Sequence, residues 1–180
     1  MARLAINGYG RIGRSVLRAL FEHEAETALT VVAVNELADS KTALHLTRYD
    51  STHGRFPGSV AATAGGMSVN GNRIELLSHA DPGELPWDEL GVDLVLECTG
   101  AFDDRRTAEK HLQRGARRVL FSQPARSDVD LTVVYGVNHR ELSADHSIVS
   151  AASCTTNGVV PVIDALDRAF TITTGTITTI

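Results

Sequence analysis

The sequence is poor in cysteine, with only Cys98 and Cys154 among its 180 residues. The two lie too far apart for a CxxC redox or zinc motif, and a secreted disulfide scaffold contains more cysteines. No apolar run approaches the roughly 20 residues that span a bilayer. Glycines at positions 8 and 10 interrupt the N-terminus before a signal-peptide core can form. We therefore expect a cytoplasmic protein that does not associate with membranes.

Positive charge is also scarce, with 17 Lys and Arg against 22 Asp and Glu and a net charge of −5. Nucleic-acid-binding proteins usually carry a basic face, so we expect no nucleic-acid partner. The 43% hydrophobic and 22% charged residues are typical of a globular domain and exclude a disordered or fibrous chain. The length allows one domain and the start of a second.

Short apolar segments alternate with amphipathic ones, which is typical of a Rossmann-type, doubly wound α/β fold with a parallel sheet. Strands are predicted at residues 4–7, 30–34, 67–69, 74–77, 93–97, 118–122, 131–135, 147–149 and 171–180. Helices are predicted from residue 11, at 40–46, at 104–113 and from 153 to 170. The Asn70-Gly71 pair predicts a tight hairpin turn.

A G-x-G-x-x-G motif, G-Y-G-R-I-G at residues 8–13, separates the first strand from the first helix. Gly8 permits a tight turn, Gly10 lets the backbone approach a pyrophosphate, and Gly13 lets the helix pack closely on the strand. The amides of Arg11, Ile12 and Gly13 would face the phosphates at the positive end of the helix. A glycine-rich turn without a ligand is the alternative, but the strand–turn–helix context favours a dinucleotide site.

Polar residues follow several of the predicted strands. Asn35 and Glu36 follow the second predicted strand. An acid there is expected to bind the ribose hydroxyls and to repel a 2′-phosphate, which favours NAD over NADP. A simple polar turn is the alternative there. Thr99, Gly100 and Ser122 follow later strands and are candidate nicotinamide contacts, although each is equally compatible with an ordinary strand-end turn.

The segment S-C-T-T-N at residues 153–157 places Cys154 at the predicted start of a helix. The helix dipole favours a thiolate there, and a thiolate can add to an aldehyde carbon. The Ser153 and Thr155 hydroxyls are candidates to hold a substrate anion or oxyanion. Spacing alone leaves open a structural cysteine that caps the helix. Cys98 is predicted to be a small buried apolar residue, and no metal site is indicated.

Four segments together resemble the phosphorylating glyceraldehyde-3-phosphate dehydrogenase family. They are AINGYGRIGR at residues 5–14, YDSTHGRF at 49–56, GVN at 136–138 and SCTTN at 153–157. The similarity extends from residue 2 to residue 180. It implies an NAD-binding Rossmann domain over residues 1–153, the start of an α+β catalytic domain over 154–180, and Cys154 as the nucleophile. It also implies a homotetramer, with the catalytic histidine and the substrate-phosphate residues beyond residue 180.

Within the family, some segments resemble the members that oxidise D-erythrose 4-phosphate to 4-phosphoerythronate for pyridoxal phosphate synthesis. These segments are residues 35–39, 86–87, 89–93, 98–100, 120–122 and 133–138. The resemblance implies an NAD-dependent aldehyde dehydrogenase with a thioester intermediate on Cys154. The alternatives are oxidation of glyceraldehyde 3-phosphate, or a non-catalytic NAD-binding module.

Overall fold

The computed structural model describes residues 1–22 and 28–179, and within these ranges it contains eleven strands and four α-helices. The strands are β1 (Ala2–Asn7), β2 (Leu29–Asn35), β3 (Tyr49–Asp50), β4 (Gly54–Arg55), β5 (Val60–Thr63), β6 (Gly66–Val69), β7 (Asn72–Leu77), β8 (Leu94–Glu97), β9 (Arg118–Phe121), β10 (Leu131–Thr132) and β11 (Ile148–Ser150). The helices are α1 (Arg11–Glu22), α2 (Ser40–Arg48), α3 (Arg105–Gln113) and α4 (Cys154–Phe170).

Nine of the strands form one sheet in the order β10-β11-β9-β8-β1-β2-β7-β6-β5. Neighbouring strands from β10 to β7 are parallel, whereas β7, β6 and β5 are antiparallel. From β1 the chain first adds β2 on one side and later adds β8 on the other. The strand order therefore reverses between β1 and β8, which is where ligands bind in open α/β sheets. The predicted Rossmann-type doubly wound fold is confirmed.

The sheet is buried on both faces, and β1 shows why. Leu4 and Ile6 pack in one core cluster with Leu17 of α1, whereas Ala5 packs in a second cluster with Trp87. Since successive strand residues point to opposite faces, a continuous apolar strand is required at this position. The sheet thus provides a rigid support for the loops at its edges.

The predicted hairpin is confirmed at β6 and β7, which pair antiparallel across Asn70 and Gly71. Both turn residues have positive φ, 49° at Asn70 and 86° at Gly71. This is the backbone of a type I′ turn, which asparagine and glycine adopt most readily.

The last predicted strand is wrong over residues 171–179, which form neither helix nor strand, and Ile180 lies outside the described residues. An alternating Thr/Ile pattern forms a strand only beside a partner strand. The strand predicted at 131–135 is also shorter, because the amide of Val134 donates to the Asn138 side chain instead of to a neighbouring strand. Helix α4 forms as predicted, but none of its side chains is buried.

Candidate functional site

The carboxyl ends of five parallel strands share one edge of the sheet. The residues predicted for the site follow these ends: Gly8 follows β1, Glu36 follows β2, Thr99 follows β8, Ser122 follows β9, and Cys154 comes four residues after β11. The parallel order of the strands therefore places all five predicted positions on the same edge.

A cleft of about 350 Å³ opens at this edge, around the switch between β1 and β8. Five of the residues predicted from the sequence line it, namely Gly8, Gly10, Asn35, Glu36 and Thr99. Other predicted residues are not among those that line it: Arg11, Ile12, Gly13, Gly100, Ser122, Ser153, Cys154 and Thr155. The cleft thus brings together the residues around β1, β2 and β8, while Cys154 lies further along the same edge.

At the glycine turn, the end of β1, the start of α1 and the loop after β8 lie in close contact. Gly8 has a φ of +89°, and a Cβ there would lie 2.5 Å from the Thr99 amide nitrogen. A Cβ on Gly13 would lie 2.3 Å from the Gly8 carbonyl oxygen. At Gly10, by contrast, a Cβ would meet no atom within 4 Å. The backbone at Gly10 therefore faces open space, as the approach of a pyrophosphate requires.

Helix α1 begins directly after this turn, and its first intrahelical bond runs from the Arg14 amide to the Gly10 carbonyl at 3.1 Å. The amides of Arg11, Ile12 and Gly13 have no acceptor within the helix. The side chains of Arg11 and Ile12 are about half exposed, 55% and 50%. The unpaired amides, at the positive end of the helix dipole, are suited to bind an anion. The Arg11 guanidinium lies 3.6 Å from the Asp50 carboxylate.

The carboxylate of Glu36 is fixed by two backbone amides. It accepts hydrogen bonds from the Tyr9 amide in the glycine turn and from the Ala38 amide, both at 3.0 Å. Since the half-buried Glu36 also lines the cleft, its oxygens are available to ribose hydroxyls and its charge opposes a phosphate. The donor and acceptor groups of this cleft fit NAD.

Cys98 is buried, as its predicted apolar role requires. Burial raises the pKa of the Cys98 thiol to about 11, although a hydrogen bond with Ser122 acts in the opposite direction. Ser122 itself donates to the side chain of Gln123 at 3.2 Å. Cys98 is thus a thiol that remains protonated near neutral pH.

Cys154 is exposed and is the first residue of α4. Ser153 caps the helix, and its Oγ accepts a hydrogen bond from the Thr156 amide at 2.9 Å. The amides of Cys154 and Thr155 precede the first amide that this cap satisfies, so they have no acceptor within the helix. A thiol at this position has access to solvent and lies at the positive end of the helix dipole.

The turn that precedes Cys154 contains a strained residue. Ala152 has a φ of 59° and is 5% exposed. A left-handed conformation costs a residue with a Cβ about 1 kcal/mol. Strained backbone of this kind is concentrated at functional turns. Nothing in the sequence indicated it, because alanine has no preference for this conformation.

Sequence reasoning missed several residues at the cleft. Asn7, His79 and Phe102 line it, and Glu97 is fully buried directly below it. A signal existed for Glu97, because it is a charged residue at the end of an otherwise apolar strand.

The described part of the chain has no group of three or more His, Cys, Asp or Glu suited to a metal ion, and no helix long and apolar enough to cross a membrane.

One comparison with known proteins identifies the domain. A family model described as glyceraldehyde 3-phosphate dehydrogenase, NAD binding domain, matches residues 2–105. The match covers more than half of the chain and includes the glycine turn, Glu36 and Thr99. Ser122 and Cys154 lie outside it.

Proposed function

The chain belongs to the glyceraldehyde-3-phosphate dehydrogenase family, and from this premise we propose that it oxidises D-erythrose 4-phosphate with Cys154 as the nucleophile. The family domain binds NAD. The observation that carries the proposal is the exposed Cys154 at the start of α4, on the same edge of the sheet as the cleft. A buried thiol, or one at the opposite edge, would be incompatible with this reaction.

Residues that line the cleft and residues beside it would share the binding of NAD. The amides at the start of α1 are suited to the pyrophosphate, Gly10 gives it room, and Glu36 is suited to the ribose hydroxyls. Thr99, Gly100 and Ser122 are proposed for the nicotinamide side. When bound, NAD supplies the hydride acceptor of the reaction.

The chemistry on the protein begins with the thiolate of Cys154. Its sulfur forms a bond to the aldehyde carbon, and the carbonyl oxygen takes up a proton to give a thiohemiacetal. The free amides of Cys154 and Thr155 are suited to stabilise the oxyanion that develops, and the Thr155 hydroxyl lies beside them in sequence. Oxidation gives a thioester, and attack by water breaks the carbon–sulfur bond and releases 4-phosphoerythronate.

The choice of substrate rests on the resemblance of residues 35–39 and 98–100 to the erythrose-oxidising members of the family. Glyceraldehyde 3-phosphate is the alternative, with phosphate in place of water in the last step. We also propose that the protein functions in the cytoplasm as a homotetramer and contributes to pyridoxal phosphate synthesis.

The test is the rate of NADH formation by the full-length protein. We expect faster formation with erythrose 4-phosphate than with glyceraldehyde 3-phosphate, and no requirement for added phosphate. A strict phosphate requirement with glyceraldehyde 3-phosphate would assign the sister reaction. NAD binding without NADH formation from either aldehyde would identify a non-catalytic module.

The role of the thiol is tested by Cys154→Ser. We expect this variant to lose turnover and to bind NAD within a few-fold of the unchanged protein, because Cys154 does not line the cleft. Turnover that persists in Cys154→Ser would show that another group is the nucleophile.

A further inference from the structure

Polar groups at the cleft form a continuous hydrogen-bonded chain across the ends of four adjacent strands. It consists of Glu97 at the end of β8, Asn7 at the end of β1, Asn35 at the end of β2, and the backbone of His79 just after β7. We call these four residues the carboxyl-edge belt. Asn7 donates to Glu97 at 2.6 Å, and Asn35 donates to Asn7 at 2.7 Å.

The direction of every bond in the belt is fixed from one end. The His79 amide, which can only donate, donates to Asn35 Oδ1 at 2.9 Å. Asn35 must therefore turn its Nδ2 towards Asn7 Oδ1, and Asn7 must turn its own Nδ2 towards Glu97. The belt consequently has to end at an acceptor, and an ionised carboxylate is the side chain that only accepts.

Glu97 is fully buried and accepts hydrogen bonds from three residues. Besides Asn7, these are Thr99, through its amide at 2.8 Å and through its hydroxyl, and His111, through Nε2 at 3.3 Å. Among the described residues, His111 is the one group paired with Glu97 that can carry a positive charge. The carboxylate is therefore held mainly by dipoles.

The tautomer of His111 follows from its other neighbour. The indole Nε1–H of Trp87, which can only donate, donates to His111 Nδ1 at 2.9 Å. Nδ1 is thus an acceptor, and the ring hydrogen lies on Nε2, where it is donated to Glu97. While both bonds are intact, the buried imidazole is neutral and serves Glu97 as a donor.

The belt also forms part of the cleft. Asn7, Asn35, His79 and Thr99 all line it, whereas Glu97 does not. Gly8 rests so closely on Thr99 that a Cβ would lie 2.5 Å from the Thr99 amide. We propose that Glu97 is a positioning residue for the cofactor. Through the belt it holds Asn7, Asn35 and the backbone of His79 in place, and it holds Thr99 directly. These four residues line the cleft. This inference rests on the cleft as the NAD site.

The test compares two carboxylates that differ in location. Glu97→Gln keeps the shape of the side chain but places an amide donor among groups that donate. The control is Asp130→Asn. Asp130 accepts from the amides of Ser147 and Ile148 at 2.8 and 2.9 Å, at the start of β11 and away from the cleft. Both substitutions remove hydrogen bonds, but only Glu97 is bonded to residues that line the cleft.

We expect the Kd of Glu97→Gln for NAD, measured by calorimetry, to rise about tenfold, as a buried donor without an acceptor implies. The Kd of Asp130→Asn for NAD should stay within about twofold of that of the unchanged chain.

Trp87 is the only tryptophan, so the indole N–H gives a single NMR resonance that reports on His111. This resonance should shift in Glu97→Gln and remain unchanged in Asp130→Asn.

A Kd within twofold of the unchanged chain in folded Glu97→Gln, or an unshifted indole resonance, would overturn the proposal. If Glu97→Gln does not fold, His111→Leu and His111→Gln replace it. His111→Gln retains a donor towards Glu97 and should bind NAD more tightly than His111→Leu, whereas equal affinities would overturn the proposal. Failure of the unchanged chain to bind NAD would overturn the cofactor site and the role of Glu97 together.

Discussion

The two cysteines differ in reactivity because their surroundings differ. Cys98 is among the residues that line the cleft, but it is largely buried, and this burial is the main reason that its pKa is raised to about 11. Cys154 is exposed at the start of α4. The thiolate is the reactive form of cysteine. The difference in burial therefore predicts which thiol an alkylating reagent modifies.

We expect brief treatment with iodoacetamide near neutral pH to modify Cys154 and to spare Cys98. Peptide mass spectrometry measures the extent of labelling at each site. The Cys154→Ser variant is the control and should remain nearly unlabelled until the protein is unfolded. Faster labelling of Cys98 than of Cys154 would contradict the burial that the structure gives the two thiols.

Strand β11 and the loop before β10 are joined by the carboxylate of Asp130. Burial opposes its ionisation, but hydrogen bonds from the Ile148 amide, the Arg105 guanidinium and the Ser147 amide prevail and lower its pKa to about 2. A carboxylate with a lowered pKa in the folded state stabilises the fold above its unfolded pKa of about 3.9. That contribution is lost as the pH falls towards about 2.

We expect Asp130→Asn to be less stable than the unchanged chain at neutral pH, and the difference to shrink as the pH falls from about 4 to about 2. Urea unfolding across this range measures the free energy of unfolding of both proteins. The comparison is made between the two proteins because other carboxylates, such as Asp39 and Asp104, also have lowered pKa values. A difference that does not depend on pH would contradict this role of Asp130.

The elements that the sequence predicts well are those that local patterns determine. The apolar run of β1, the glycine turn and the Asn70-Gly71 hairpin each depend on residues within a few positions of one another. The segment 171–179 shows the opposite case, because an alternating pattern becomes a strand only when another strand is available to pair with it. Strands β3 and β4 have two residues each, which is too short for a periodic pattern to predict them.

The candidate site was predictable to the extent that its residues follow individual strands. Gly8, Glu36 and Thr99 each end or follow a strand, and the parallel order of the sheet brings them to one cleft. The contacts of Glu97 with Asn7 and His111 join residues distant in the sequence, and they exist only because β8 lies beside both β1 and α3. No local pattern contains that information.

The cleft lies at the carboxyl end of β1, a strand that packs into both core clusters. Strand β1 contributes Leu4 and Ile6 to one core cluster and Ala5 to the other, and its carboxyl end forms the glycine turn. A ligand that binds the folded protein at this turn stabilises the folded state relative to the unfolded chain. A ligand present at one hundred times its Kd adds about 2.7 kcal/mol to the free energy of unfolding. The rise in the midpoint of thermal unfolding can therefore be used to compare how tightly two cofactors bind.

We expect NAD to raise the midpoint of thermal unfolding more than NADP at the same concentration. The two cofactors differ by a 2′-phosphate, which would meet the Glu36 carboxylate held by the Tyr9 and Ala38 amides. Glu36→Gln removes the charge and should narrow the difference, mainly through stronger binding of NADP. Glu141→Gln, at an exposed carboxylate in the short 3₁₀ helix His139–Glu141 between β10 and β11, should leave the difference unchanged. Equal shifts by NAD and NADP in the unchanged chain would show that Glu36 does not select between them.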